Sequence, residues 1–306
     1  MTGAVDIGGT KIAVGMVDEN GRLLCRVESP VCPERGFEDA LQRIKVMLRE
    51  SSESSGIRMS GIGIGCTGPV DPFLGIIGNV DFLPGWEGGN LVEGLSKEFR
   101  VPVAVENDAD AAALGEAAWG AGRAKQHFIY VTVSTGIGGG IIMDGKLYRG
   151  AGGAHPEIGH HVIDPAGPLC FCGARGCWES LAAGPAMVTW VRQQATRDSR
   201  HSAELTAKTI CELAREGDEL CSQAVDREAF YLGVGLANLI TLFAPDLIAL
   251  GGGVMRSADL FLEHAKRVMR QHCGLVPFEK TELTLASLGP DTALAGAARV
   301  WFHRFA

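Results

Sequence analysis

The chain opens on short apolar runs broken by turn residues. Ala4 to Ile7 predicts a strand, Gly8-Gly9-Thr10-Lys11 a turn, and Ile12 to Val17 a second strand. Asn20-Gly21 supplies tight-hairpin chemistry, and Arg22-Leu23-Leu24 begins a third strand. The pattern returns later. Ile129 to Val133 is apolar, Ser134 to Gly140 is glycine-rich, Ile141 to Met143 is apolar again, and Asp144-Gly145 precedes Lys146-Leu147-Tyr148. Two copies of one hairpin device predict two related lobes.

Helical and strand periodicities alternate between and after the copies. Phe37, Leu41, Ile44 and Leu48 share one face of a helix, and Ser51 to Ser55 reads as its end and a loop. Ile62 and Ile64, with glycines between, predict a buried strand. Val101, Val103 and Val105 predict another, ending at Glu106-Asn107-Asp108 before an alanine-rich helix from Ala109 to Trp119. A helical region is expected from about Leu181 to Asn238. Leu247 to Leu250 then predicts a strand running into Gly251-Gly252-Gly253, and Asp291 to Phe302 a closing helix.

Composition narrows the classes. The 306 residues are 46% hydrophobic and 21% charged, enough for a large core, with a net charge of −8. That acidity, without a basic stripe, argues against nucleic acid as a partner. No apolar run reaches the roughly 18 residues of a membrane helix. With no leader-like start and nine cysteines, an odd number, a cytoplasmic protein is expected. Cys25, Cys32, Cys66, Cys211, Cys221 and Cys273 are scattered and expected to pack as small hydrophobes.

Candidate chemistry sits in three places. Asp6 to Lys11 follows a strand, so its glycines let backbone N–H groups approach a phosphate, and Asp6 is placed to hold Mg²⁺ through water. Ser134 to Gly140 is a second such loop, and the pair would close on one polyphosphate. Asp108 stands just beyond a strand, where α/β sheets carry active residues; it also fits a helix N-cap. Cys170, Cys172 and Cys177 follow a histidine at close range, a Cys₃His set suited to a structural zinc with no open position. Gly63-x-Gly65-x-x-Gly68 matches a dinucleotide fingerprint, but Pro69 and Pro72 follow where a helix should begin. Gly65 to Pro72 is instead expected to be a loop beside the active cleft. No Gly-x-x-x-x-Gly-Lys-Ser/Thr motif is present, which excludes a P-loop enzyme.

These motifs together resemble the ROK family of sugar kinases and repressors. The resemblance rests on Asp6-x-Gly8-Gly9-Thr10-Lys11, Glu106-Asn107-Asp108, Ser134 to Gly140, Glu157-x-Gly159-His160 and Cys170-x-Cys172-Gly173-x-x-Gly176-Cys177-x-Glu179. It implies an α/β, two-lobed actin-like ATPase (ribonuclease H-like) fold with a zinc-stabilised loop in the second lobe. The lobes are expected at 1–118, completed by a C-terminal helix at 291–306, and at 119–290. By the same resemblance Asp108 is the catalytic base. Asn107, Asp108, Glu157, His160, Glu179 and Gly68 meet the sugar, and His160, Cys170, Cys172 and Cys177 hold zinc. Asp6, Gly8, Gly9, Thr10, Lys11, Thr135, Gly136, Gly138, Gly252 and Gly253 meet ATP and its Mg²⁺. The implied reaction is phosphorylation of a hexose 6-hydroxyl by a homodimer or homotetramer.

Glucose is the expected sugar, with N-acetylmannosamine or N-acetylglucosamine next and fructose after them, since His155-Pro156-Glu157 resembles the fructokinase branch. Family glucokinases often carry Asn two residues before Pro-Gly-Trp; here Phe82 stands there, with Asn79 and Asp81 nearby. A sugar-responsive repressor needs a DNA-binding segment, and only five residues precede Asp6, so none is expected. Glu157 and Glu179 also fit ordinary surface carboxylates. His155 is expected to make a loop contact, His161 to be exposed and Trp178 to be core. Trp86 would either edge the sugar cleft or pack its loop.

Overall fold

The structure, a computed structural model, describes residues 1–56, 58–195 and 205–306. In chain order the strands and helices are β1 (Thr2–Ile7), β2 (Lys11–Val17), β3 (Leu23–Pro30), α1 (Gly36–Ser55), β4 (Gly61–Cys66), α2 (Leu91–Phe99), β5 (Val103–Asn107) and α3 (Asp108–Trp119). There follow β6 (Phe128–Val133), β7 (Ile137–Met143), β8 (Lys146–Leu147), α4 (Trp178–Ala182), α5 (Gly184–Gln194), α6 (Ala207–Arg215), α7 (Glu219–Phe243), β9 (Leu247–Gly251), α8 (Ala258–His272), β10 (Glu282–Leu285) and α9 (Thr292–Phe305). Two five-stranded sheets form, ordered β3-β2-β1-β4-β5 and β10-β9-β6-β7-β8.

The chain forms two compact units that interleave, where the sequence alone suggests a division at 118/119. One holds residues 1–130, 140–156 and 286–306; the other holds 131–139 and 157–285. In the first, β1 to β3 make an antiparallel meander and β4 and β5 join in parallel. Strand alternation separates two faces. Val5, Ile7, Ile12, Val14, Ile62 and Ile64 meet Ile44 and Leu48 of α1 in the larger core. The opposite face carries small residues, Ala4 and Ala13, against Leu294, Ala297 and Ala298 of α9.

The glycines of β4 belong to that second face. A Cβ on Gly61 would fall 1.9 Å from the Trp301 ring nitrogen, and one on Gly63 would fall 1.9 Å from the Ala297 carbonyl. The fingerprint-like spacing therefore serves helix packing on the sheet. No helix begins after Gly68, as the prolines predict, and the next is α2.

In the second unit β9 is buried throughout and pairs in parallel with β10. Helix α7 spans 25 residues. Trp178 packs directly on its Gly235, where a Cβ would lie 2.1 Å from the ring. Strand β10 and helix α8 are additions to the elements expected from sequence. Conversely, β8 is only two residues long, and Val101 lies before β5. Residues 196–204 of the predicted helical region lie outside the described residues. Helix α1 runs through the serines expected to end it. Among the described residues no helix is long and apolar enough to cross a membrane.

Candidate active site

Sheet register builds the first group of site residues. Asp6 of β1 aligns with Gly65 of β4, and Gly65 with Glu106 of β5; the next row is Ile7, Cys66 and Asn107. The chain leaves all three parallel strands at the same edge, so Gly8 to Lys11, Thr67-Gly68 and Asp108 emerge side by side. Gly8 N–H donates to the Lys11 carbonyl at 3.0 Å, closing the first glycine turn. Lys11 is occupied by Glu28, 2.9 Å from its ammonium. The exposed Phe82 lies against Gly9, where a Cβ would sit 3.2 Å from its own Cβ.

The cap of α3 is Asn107, which corrects the alternative that Asp108 serves there. Asn107 Oδ1 accepts from the N–H groups of Ala109 at 2.8 Å and Asp110 at 3.4 Å. Its amide nitrogen faces Gly68, 3.0 Å from where a Cβ would stand. Asp108 occupies the first helical position, half-buried, with Oδ1 accepting from Ala109 N–H at 2.8 Å. Burial, and then the nearby charge of Asp108, pushes the Asp6 carboxyl up to about 7, with Lys11 opposing. Two acids crowded this way suit a bound cation, whose charge would relieve both.

The second group gathers at the end of β6. Ser134 N–H donates to the Gly136 carbonyl at 2.8 Å, making the turn that carries Thr135. Glu179 Oε2 accepts from Ile137 N–H at 2.8 Å, close enough that a Cβ on Gly136 would fall 2.4 Å from that oxygen. Gly138 follows within β7. The turn holding Glu157 and His160 also rests on Ile137, because Gly159 lets the backbone touch its carbonyl. Gly252, at φ +92°, lies against the Val133 carbonyl, and Gly253 faces Ser134 Oγ. Burial raises the Glu179 carboxyl above its ordinary value; the Ile137 N–H and His160 lower it, and Glu157 raises it again. Glu157, His160 and Glu179 thus share one electrostatic neighbourhood, with Glu157 exposed and the other two half-buried.

The metal set assembles beside them. Ligand atoms of His160, Cys170, Cys172 and Cys177 all lie within 4.8 Å of one another. His160 Nδ1 is 3.5 Å from Cys170 Sγ, and Cys172 Sγ is 3.5 Å from Cys177 Sγ. Four ligands about 2.0–2.3 Å from one ion fit that span. Burial pushes the Cys177 thiol up to about 12, so a bound cation is what would make it a thiolate. A tight turn supports the set: Cys170 N–H donates to Ala174 at 2.8 Å, and Gly173 N–H to Cys170 at 3.0 Å.

Other expectations divide. Trp178 is fully buried. Cys66, Cys211, Cys221 and Cys273 are buried, and Cys25 and Cys32 half-buried. Trp86 is completely buried and packs edge-on against Phe37, so it holds its loop. His161 is half-buried, not exposed, because its Nδ1 meets the Ile158 carbonyl and its ring meets Trp178. His155 makes its loop contact with a partner sequence did not suggest, Asp110, at 2.9 Å. Arg149 was also missed; it forks onto Glu106. The only sequence signal for either was a basic residue in an otherwise small-residue loop.

The ROK family model matches residues 2–304. A glucokinase of Streptomyces coelicolor is 37% identical over 318 residues, 97% of this chain and 96% of that protein. A glucokinase of Thermotoga maritima is 33% identical over 307 residues, 97% of this chain and 95% of that protein. Among solved structures, a ROK family glucokinase from Streptomyces griseus in complex with glucose and AMPPNP is 36% identical, with a TM-score of 0.84 and 97% of each chain covered. The fold is accordingly the actin-like, two-lobed α/β kinase fold with two mixed sheets. A match over nearly the whole length makes this chain a member of the ROK family.

Proposed function

We propose that this protein is a glucokinase, transferring the γ-phosphoryl group of MgATP to the 6-hydroxyl of glucose. The observation that carries this is the register of β1 and β5 on either side of β4, from which the Asp6 turn and Asp108 leave the sheet at the same edge. The similar proteins named glucokinase support the sugar, and the relative bound to glucose and AMPPNP supports the nucleotide. Asp108 takes the proton from the 6-hydroxyl as it attacks; a placed carboxylate is worth about 10²–10⁴ in rate. Asn107 and Gly68 lie next to Asp108 to meet the sugar. Glu157, His160 and Glu179 accept or donate hydrogen bonds to sugar hydroxyls, and charged acceptors make the stronger ones.

Gly8, Gly9, Thr10 and Lys11, with Thr135, Gly136 and Gly138, present the phosphate-binding turns, and Gly252 and Gly253 lie toward the adenosine. Asp6 would hold Mg²⁺, which neutralises phosphate charge when bound. His160, Cys170, Cys172 and Cys177 would hold a structural zinc, which supplies no open position for chemistry. The lobes 1–118 with 291–306, and 119–290 with the zinc site and helical region, remain our proposed division of the chain. We assign the protein to the cytoplasm as a homodimer or homotetramer; a monomer by light scattering would remove that last assignment.

Sugars N-acetylated at the 2-position form a second reading. Phe82 gives it substance, since an apolar ring stands beside Gly9 where family glucokinases often have Asn. An ADP-release assay over glucose, mannose, fructose, N-acetylglucosamine and N-acetylmannosamine tests both. Glucose is expected to give the highest kcat/KM. A higher value for an acetylated sugar replaces glucose, and no release with any of them removes the kinase assignment.

A further inference from the structure

Two buried acids flank Asp108. Glu106 lies two residues before it and Asp110 two residues after, with side chains 4% and 2% exposed. Neither belongs to the proposed chemistry. Burying carboxylates this close together at one strand–helix junction is costly unless each finds a partner. Burial does raise the Glu106 carboxyl above its ordinary value; Arg149 draws it partly back, and Asp110 raises it again.

One short loop answers both acids. Arg149 donates through Nε to both Glu106 oxygens, at 3.0 and 3.1 Å, and through a terminal nitrogen to Oε1. His155 places Nδ1 2.9 Å from Asp110 Oδ2. Asp110 Oδ1 has no hydrogen-bond partner among the described residues. Between Arg149 and His155 the chain closes on itself, with Gly150 N–H donating to the Ala154 carbonyl at 2.7 Å. The loop thus delivers two nitrogen-bearing side chains to one place. After His155 it continues through Pro156 directly into Glu157.

We infer that Arg149 and His155 are positioning residues for phosphoryl transfer: they hold Glu106 and Asp110 so that Asp108, between them in the chain, stays aimed. This rests on Asp108 being the base. A buried carboxylate stripped of its partner repels the next one and moves to find solvent. Either response degrades the base, and small misplacements at a reacting centre cost large factors in rate.

A double-mutant cycle on His155 and Asp110 tests the pairing, measured as kcat at saturating MgATP and sugar. His155→Ala is expected to lower kcat about 10-fold or more. In the Asp110→Asn background the same change is expected to cost less than about threefold, because no stranded charge remains. His155→Asn, which keeps a side-chain N–H at that position, should recover most of the rate. A structural loop contact alone would give equal losses in both backgrounds, and that result overturns the inference. So does His155→Ala at wild-type kcat. If His155→Ala fails to fold, the comparison of Asp110→Asn with the double variant decides, since a tenfold loss there contradicts action through Asp110. A wild-type protein inactive on every sugar would instead remove the kinase assignment itself.

Discussion

Single residues reveal where ionisation and burial conflict. Glu228 of α7 is completely buried, and neither carboxylate oxygen has a hydrogen-bond partner among the described residues. Burial holds its acid well above the ordinary 4.5, with only Arg227 opposing. The sign follows from linkage: the raised folded value helps stability fully below about 4.5, and that help is lost as pH rises. At neutral pH Glu228 is therefore a cost. Glu228→Met should stabilise the protein by about 1–3 kcal/mol, with the larger melting-temperature gain at pH 8 than at pH 5. A lower melting temperature, or a gain independent of pH, would contradict this. Such a residue is illegible in sequence, because its neighbours in Arg227-Glu228-Ala229 look like any helix surface. Asp108 was legible because a strand pattern ends just before it. Its supporting pairs were not, since Asp110–His155 and Glu106–Arg149 join residues more than 40 positions apart.

At the scale of elements, turns and short helices carry the chemistry. Both hairpin turns were readable from Asn-Gly and Asp-Gly, and Gly21, Asp144 and Gly145 take the positive φ those turns demand. The β4 glycines were readable as a strand but not as the groove for α9, which lies far along the chain. The metal turn has the most consequence. Cys177 leads through Trp178 to Glu179, which accepts the Ile137 N–H, so the Cys-His turn and the glycine turn after β6 are mechanically joined. Zinc analysis should find about one ion per chain. Cys172→Ser should lower zinc content and weaken sugar binding by about tenfold, although Cys172 is an exposed residue assigned no sugar contact. Unchanged sugar affinity in a folded, zinc-depleted Cys172→Ser protein would separate the metal from the site.

For the whole molecule, the fold class and family were legible because several independent motifs agreed on one architecture. Where the compact units interleave was not legible. Strands β6 and β7 continue from one unit into the other, and no composition change marks that passage. Asp108, half-buried where β5 passes into α3 and near Asp6, is the residue on which the proposed reaction depends. The most direct test is therefore Asp108→Asn, with glucose turnover and glucose binding measured on the same preparation. The account predicts a loss of kcat of about 10²–10⁴, with the glucose Kd changed no more than about threefold. An Asp108→Asn enzyme that turns over at near wild-type rate would contradict it.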